Sequence, residues 1–210
     1  MEREMIKLYH CKNSRSVRPL WALEELGLSY ELVVMPFPPR SEYEGYLDIN
    51  PLGTVPTLQD GDKTLTESTG ICQYLVEKYG PTDLEINKDE PEYADYVNWL
   101  FRSDATLTFP LAIVLRYTKL EPKERRNNQI AEDYAIWFHS RLRAVEAALE
   151  GKNFLVGGRF TIADISVGYA LQFADRLGLS DRFKPNCSRY LKILNKRPAF
   201  VRLQEKSELL

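Results

Sequence analysis

Cys11, Ser14 and Ser16 place one thiol and two hydroxyls in a single short stretch, LYHCKNSRSVRPLWALEELG (Leu8–Gly27), with Lys12, Arg15 and Arg18 among them. Each is a nucleophile in waiting, provided that something lowers its pKa or takes its proton. A free thiol titrates near 8.5. Neighbouring cations and a helix N-terminus both depress that value, because they favour the anion. The sequence therefore predicts some reactivity at Cys11. The competing reading makes Cys11 a small buried apolar residue at a strand end. Glu67-Ser68 is a second candidate, because a helix begins there, and free N–H groups at a helix start attract anions. His10 and His139 stand alone with no ligand spacing, so no metal centre is expected. Cys72 falls among helix-core residues and Cys187 after KPN at a helix start, and both read as inert.

The elements that must position these residues follow from periodicity and punctuation. Met5–Tyr9 reads as a strand and SVRPLWALEELG as a helix that stops at Gly27. Proline is tolerated only in a first turn, so Pro19 fixes the helix start near Ser16, with Ser16 or Ser14 as N-cap. Tyr30–Met35 is the next strand, completing a βαβ unit with parallel strands and a right-handed crossover. Val55–Leu58 and Lys63–Leu65 flank QDGD, a hairpin signal, and Pro56 makes the first of them an edge strand or gives it an irregular start. ESTGICQYLVEKYG, ending at Gly80-Pro81, is a helix with apolar positions Ile71, Tyr74, Leu75 and Tyr79.

The polar, proline-bounded segment Pro81–Pro91 reads as a linker, giving domains at 1–81 and 92–210 joined by 82–91. Beyond it the pattern is helical throughout. Glu92–Leu120 is long, with a kink expected at Phe109-Pro110, and Gln129–Leu149 follows. TIADISVGYALQFADRLG, Ser188–Asn195 and Pro198–Lys206 complete the set. Thr161 and Asp164 have capping-box spacing, which assigns Asp164 to structure and not to chemistry.

Composition narrows the function. The chain has 210 residues, 44% hydrophobic and 28% charged, with a formal net charge of −2, enough to bury a real core. That balance gives no general attraction to nucleic acid or to an anionic membrane. No apolar run approaches a membrane span, and the N-terminal MEREMIKLYH carries no signal-peptide core. Three cysteines at long spacings, with no CxxC pair, argue against a disulfide framework and for a reducing, cytoplasmic compartment.

The β-α-β-β-α order, NPLGTVPTL before the hairpin, TES after it and the helical second half together resemble the cytosolic glutathione transferases. GGRFTIADISVGYAL resembles that family's helix-capping segment, and NSRS with its surroundings resembles a bacterial and fungal branch. The resemblance implies a thioredoxin-like α/β domain, an all-helical C-terminal domain and a homodimer. It implies glutathione as co-substrate and a hydrophobic electrophilic small molecule as the other partner, with no nucleic acid and no membrane. By resemblance, a cis Val55-Pro56 bond presents the Val55 backbone to the cysteinyl part of glutathione, next to Thr54, where many relatives carry Gln or Lys. Ser68 would hold the γ-glutamyl carboxylate and Glu67 its ammonium, with Asp104 reaching the same ammonium. Arg40 would meet the glycyl carboxylate. Phe101, Arg116, Tyr117 and Phe173 would line the second substrate's site.

Two alignments divide the sulfur's partner. One puts Cys11 at the catalytic position, as in omega-like thioltransferases and deglutathionylases. The other puts Ser14 there, as a donor that stabilises the thiolate of glutathione, and Asn13 is a third candidate donor. A third reading, a binding module that keeps the fold and loses the chemistry, belongs to a different class.

Overall fold

Strand β1 (Ile6–His10) is covered on both faces, which is why four of its five residues are buried and it shows no apolar–polar alternation. Strand β2 (Tyr30–Val34) runs parallel to it, in register from Ile6↔Tyr30 to His10↔Val34. Strand β3 (Thr57–Asp60) lies antiparallel on its other side, with Tyr9 opposite Thr57, and β4 (Lys63–Leu65) pairs with β3. The sheet order is β2-β1-β3-β4. These statements come from a computed structural model that describes residues 5–208.

The chain forms two compact units. One runs to Glu85 and takes in the segment from Lys196 onward, and the other is Ile86–Asn195. In the first unit, helix α1 (Val17–Leu26) connects β1 and β2, buries Leu20, Trp21 and Leu23, and ends at Gly27. Gly27 sits at φ +63°, a left-handed cap where glycine carries no Cβ penalty. Two short helices, α2 (Pro39–Glu42) and α3 (Tyr46–Ile49), fill the segment before β3. At four residues each they are too brief for a periodic signal, and the sequence did not reveal them. Strand β3 begins two residues later than expected, at Thr57, because Pro56 has no N–H for the ladder. It is not an edge strand, since β4 covers its far side. Helix α4 (Ser68–Tyr79) follows the hairpin. Helix α10 (Pro198–Glu208) completes this unit: Phe200 packs on Trp21 with ring centroids 4.6 Å apart, and Arg197 forms a forked ion pair with Glu25 at 2.6 and 2.8 Å.

The second unit is helical. Helix α5 (Tyr93–Arg102) widens into a π-helical segment, Ser103–Thr108, just before α6 (Phe109–Leu115). The disturbance expected at Phe109-Pro110 is thus a widened turn preceding Pro110, whose ring cannot accept the regular ladder. A second π-helical segment, Arg116–Leu120, leads toward α7 (Asn128–Ala148), which Asn127 caps through Ile130 N–H. Helix α8 (Ile162–Arg176) is buried over most of its length, and α9 (Pro185–Asn195) follows. Among the described residues, no helix is long and apolar enough to cross a membrane.

Asp164 anchors the second unit, as its capping-box spacing suggests. One oxygen accepts from Thr161 N–H at 2.8 Å, and the other accepts from Leu155 N–H at 3.0 Å and Tyr190 O–H at 2.7 Å. Burial pushes its carboxyl up to about 6, against the pull of these donors. Replacing it strands three buried donors, each costing about 1–3 kcal/mol. Asp164→Ala should therefore lower the unfolding free energy by roughly 3 kcal/mol or more in urea titrations, and a change below 1 kcal/mol would contradict this account.

Candidate active site

The chain leaves β1 at His10 and reaches α1 at Val17 through two tight turns. Ser14 N–H donates to Cys11 O at 3.2 Å, and Val17 N–H donates to Ser14 O at 3.1 Å. Asn13 takes the left-handed conformation, φ +63°, which asparagine tolerates better than most residues. Its side chain is exposed, and Ser14 is half-buried. Ser16 precedes the helix, as the sequence predicts for an N-cap, but its hydroxyl makes no capping bond. It turns back toward the strand instead, 2.8 Å from His10 Nδ1 and 2.6 Å from Ser14 Oγ, and accepts from Cys11 N–H at 3.2 Å. His10 is fully buried, and burial lowers its pKa to about 4, so it is neutral at physiological pH.

Cys11 does not meet the expectation of a depressed thiol. It is fully buried in a cluster with Tyr9, Met35 and Tyr46, and its Sγ donates to Pro36 O at 3.4 Å. Burial pushes its pKa up to about 11. The cations that prompted the expectation do not offset that burial. Lys12 and Arg15 are not buried with it, and the guanidinium of Arg18 points to α4.

A second wall comes from the segment before β3. The Val55-Pro56 bond is cis, and Val55 packs against the Tyr9–Cys11–Met35–Tyr46 cluster. Tyr46 O–H and Asn50 Nδ2 both donate to Thr54 O, at 2.6 and 2.9 Å, so buried donors fix this turn. The Thr54 side chain is exposed. Arg40, on α2, touches the same turn from outside: a Cβ on Gly53 would lie 2.7 Å from Arg40 Cβ. Gly53 also has φ +61°, so glycine is required there on two counts.

The third wall is the start of α4. Glu67 precedes the helix in extended conformation and makes no side-chain cap. Ser68 is buried, and its Oγ accepts from Arg18 Nη1 at 2.9 Å. A buried guanidinium thus lies directly behind a helix N-terminus, and both favour an anion there. Arg18 is the functional candidate that the sequence reading missed, having been counted only among cations near Cys11. Its signal was a charge flanked by Val17, Pro19, Leu20 and Trp21, all on a buried face. Such a charge must have a partner.

Together the first unit brings Asn13, Ser14, Thr54, Val55, Pro56, Glu67 and Ser68 onto elements tied to one another through Cys11, Tyr46 and Arg18. Asp104 belongs to the second unit, in the widened turn after α5, and is half-buried. Phe173 is a core residue of that unit, while Arg116 is occupied by Glu121 at 2.7 Å and Phe101 is exposed. His139 has a backbone carbonyl at each ring nitrogen, and Cys72 and Cys187 are buried. Among the described residues, no group of three or more His, Cys, Asp or Glu could hold a metal.

Two outcomes follow from these environments. Iodoacetamide at pH 8 should leave Cys11 unmodified in the native protein and label it fully in urea, as read by peptide mass spectrometry; rapid native labelling would refute the buried thiol. His10 has a folded pKa near 4 against an ordinary 6.5, so the unfolded chain binds a proton that the folded chain refuses. That contribution to stability is complete above pH 6.5 and is lost as pH falls toward 4. Between pH 7 and 4.5 the parent should lose about 2–3 kcal/mol more stability than His10→Gln, and equal losses would be the contrary result.

Known proteins resemble this chain in sequence and fold. The family model for "Glutathione S-transferase, N-terminal domain" matches residues 6–83, and that for "Glutathione S-transferase, C-terminal domain" matches residues 129–192. Glutathione S-transferase 3 of Schizosaccharomyces pombe is 30% identical over 214 aligned positions, covering 97% of this chain and 88% of that protein. Glutathione S-transferase F13 of Arabidopsis thaliana is 31% identical over 208 positions, covering 94% of each. The solved structure of Ure2p5 from Phanerochaete chrysosporium, cocrystallized with 1-(S-glutathionyl)-2,4-dinitrobenzene, superposes with a TM-score of 0.84 at 26% identity, covering 99% of this chain and 96% of that one. With its two-part architecture and full-length relatives, the chain belongs to the glutathione S-transferase family.

Proposed function

We propose that the protein is a glutathione transferase that joins the thiolate of glutathione to small apolar electrophiles, with Ser14 as the hydrogen-bond donor to the sulfur. The observation that carries this reading is the contrast at the β1–α1 junction: the Cys11 thiol is buried and raised, while Ser14 in the same turn is only half-buried. A thioltransferase built on Cys11 needs an accessible thiolate, and burial opposes both requirements. Asn13, exposed beside Ser14, is the alternative donor.

The remaining roles follow the walls of the site. The start of α4, with Ser68 and the Arg18 guanidinium behind it, holds the γ-glutamyl carboxylate. Glu67 pairs with the neighbouring ammonium, and by resemblance alone Asp104 joins it there. The Val55 backbone beside cis-Pro56 pairs with the cysteinyl unit as an added strand. Arg40 meets the glycyl carboxylate, and the exposed Thr54 contributes its backbone and not its side chain. Rate enhancement comes from a stabilised thiolate and from holding both reactants together. We also assign the protein to the bacterial and fungal branch carrying NSRS, to the cytoplasm, to a homodimer and to detoxification. The cytoplasm rests on the cysteine usage, and the other three rest on the family resemblance.

The test combines binding and turnover. Calorimetry should detect glutathione binding, and 1-chloro-2,4-dinitrobenzene should be conjugated, a choice supported by the conjugate crystallised with the fungal relative. Ser14→Ala should lower kcat on the order of a hundredfold with little change in glutathione affinity. Cys11→Ala should keep turnover close to the parent's. Absence of glutathione binding would overturn the function, and loss of activity in Cys11→Ala but not in Ser14→Ala would reverse the assignment of the donor.

A further inference from the structure

The hydroxyl of Ser16 has one proton and two lone pairs. Cys11 N–H occupies one lone pair, at 3.2 Å. The two closest remaining neighbours are Ser14 Oγ at 2.6 Å and His10 Nδ1 at 2.8 Å. They cannot both donate to Ser16, because only one lone pair remains. They cannot both accept, because there is one proton. Ser16 Oγ also lies 3.3 Å from Cys11 O, but polar atoms within 3 Å of each other need a proton between them, so the Ser16 proton serves one of the two nearer partners. One therefore donates and the other accepts, and the chain Ser14–Ser16–His10 runs in one of two directions. His10 is buried and neutral, with a single ring proton, so its tautomer and the direction of the chain are one variable.

In the inward direction Ser14 donates to Ser16 and Ser16 donates to His10 Nδ1. The ring proton is then on Nε2, 3.3 Å from Ser207 Oγ, whose own proton goes to Leu203 O at 2.7 Å. This direction satisfies every group in the absence of a ligand, but Ser14 has no proton to offer outward. In the outward direction Nδ1–H donates to Ser16 and Ser16 donates to Ser14. Ser14 also accepts from Ser16 N–H, at 3.2 Å. Both of its lone pairs are then filled, and its proton can only point away from the chain.

We propose that His10 and Ser16 are positioning residues for Ser14, and that an incoming glutathione thiol turns this chain from the inward to the outward direction. The inference rests on Ser14 as the donor to the glutathione sulfur. The proton balance is as follows. The S–H proton passes to Ser14, the Ser14 proton to Ser16, and the Ser16 proton to His10 Nδ1. His10 Nε2 gives its proton to Ser207, and the former Ser207 proton leaves to water. His10 is neutral before and after. Each hydroxyl ends turned toward the sulfur, and the aligned bonds polarise one another, so the Ser14 donor is stronger than an isolated serine. The thiolate gains a partner without a buried cation being formed.

The protein has two histidines, so the ring nitrogens of His10 can be followed by 15N NMR in the full-length protein. The free protein should show the Nε2–H tautomer. Glutathione should convert it to Nδ1–H, while S-methylglutathione, which has no thiol proton, should not. In parallel, the pKa of the bound thiol is read from thiolate absorbance at about 240 nm. Ser16→Ala should raise it by about one unit, a tenfold loss of thiolate below that pKa, with the KM for glutathione little changed. Ser16→Thr, which restores the hydroxyl, should recover most of the loss. A tautomer indifferent to glutathione, or a bound-thiol pKa unmoved in Ser16→Ala, overturns the relay. If Ser14→Ala still raises that pKa, the donor reading survives and only the relay falls. If Ser14→Ala also leaves it unmoved, both fall. The NMR arm needs no substitution, so a variant that fails to fold leaves the proposal falsifiable.

Discussion

A guanidinium cannot shed its charge when it is buried, so Arg18 dictates what surrounds it. It sits on the inner face of α1, one turn past Ser14, and reaches the first residue of α4. That single bond joins two helix N-termini, the one after β1 and the one after the hairpin. The helix start at α4 is thereby both held in place and made more electropositive. Removing the charge would leave the buried Ser68 with one fewer partner, and the site would lose its organising contact.

The same principle, applied with the opposite sign, silences Cys11. A thiolate is costly in an apolar cluster unless a cation is aimed at it, and at Cys11 burial prevails. The junction therefore separates two chemistries that look alike in sequence. The thiol is sequestered behind Tyr9, Met35 and Tyr46, and the hydroxyls form a connected polar chain that runs from half-buried Ser14 inward to buried Ser16 and His10. Reactivity in such a turn is decided by which side chains the strand end rotates inward, not by residue type.

Much of the fold could be read from punctuation. Gly27, Pro19 and the Asp-Gly turn marked α1 and the hairpin, because each imposes a backbone constraint that few other residues satisfy. The capping box at Thr161–Asp164 was legible for the same reason. The four-residue helices between β2 and β3 were not, since periodicity needs more than one turn to register. Nor could the sequence indicate that the Ser16 hydroxyl would abandon the helix for His10, because that choice depends on a histidine six positions earlier being buried beside it. The Arg18–Ser68 contact spans fifty residues, and no local rule reports it.

Helix α10 carries a consequence for how the protein is made. The first unit is begun by residues up to Glu85 and completed by those from Lys196 onward. During synthesis, the whole of Ile86–Asn195 must emerge from the ribosome before Phe200 can cover Trp21 or Arg197 can meet Glu25. The first unit thus gains the aromatic partner of its Trp21 indole and the guanidinium partner of its Glu25 carboxylate only from the far end of the sequence.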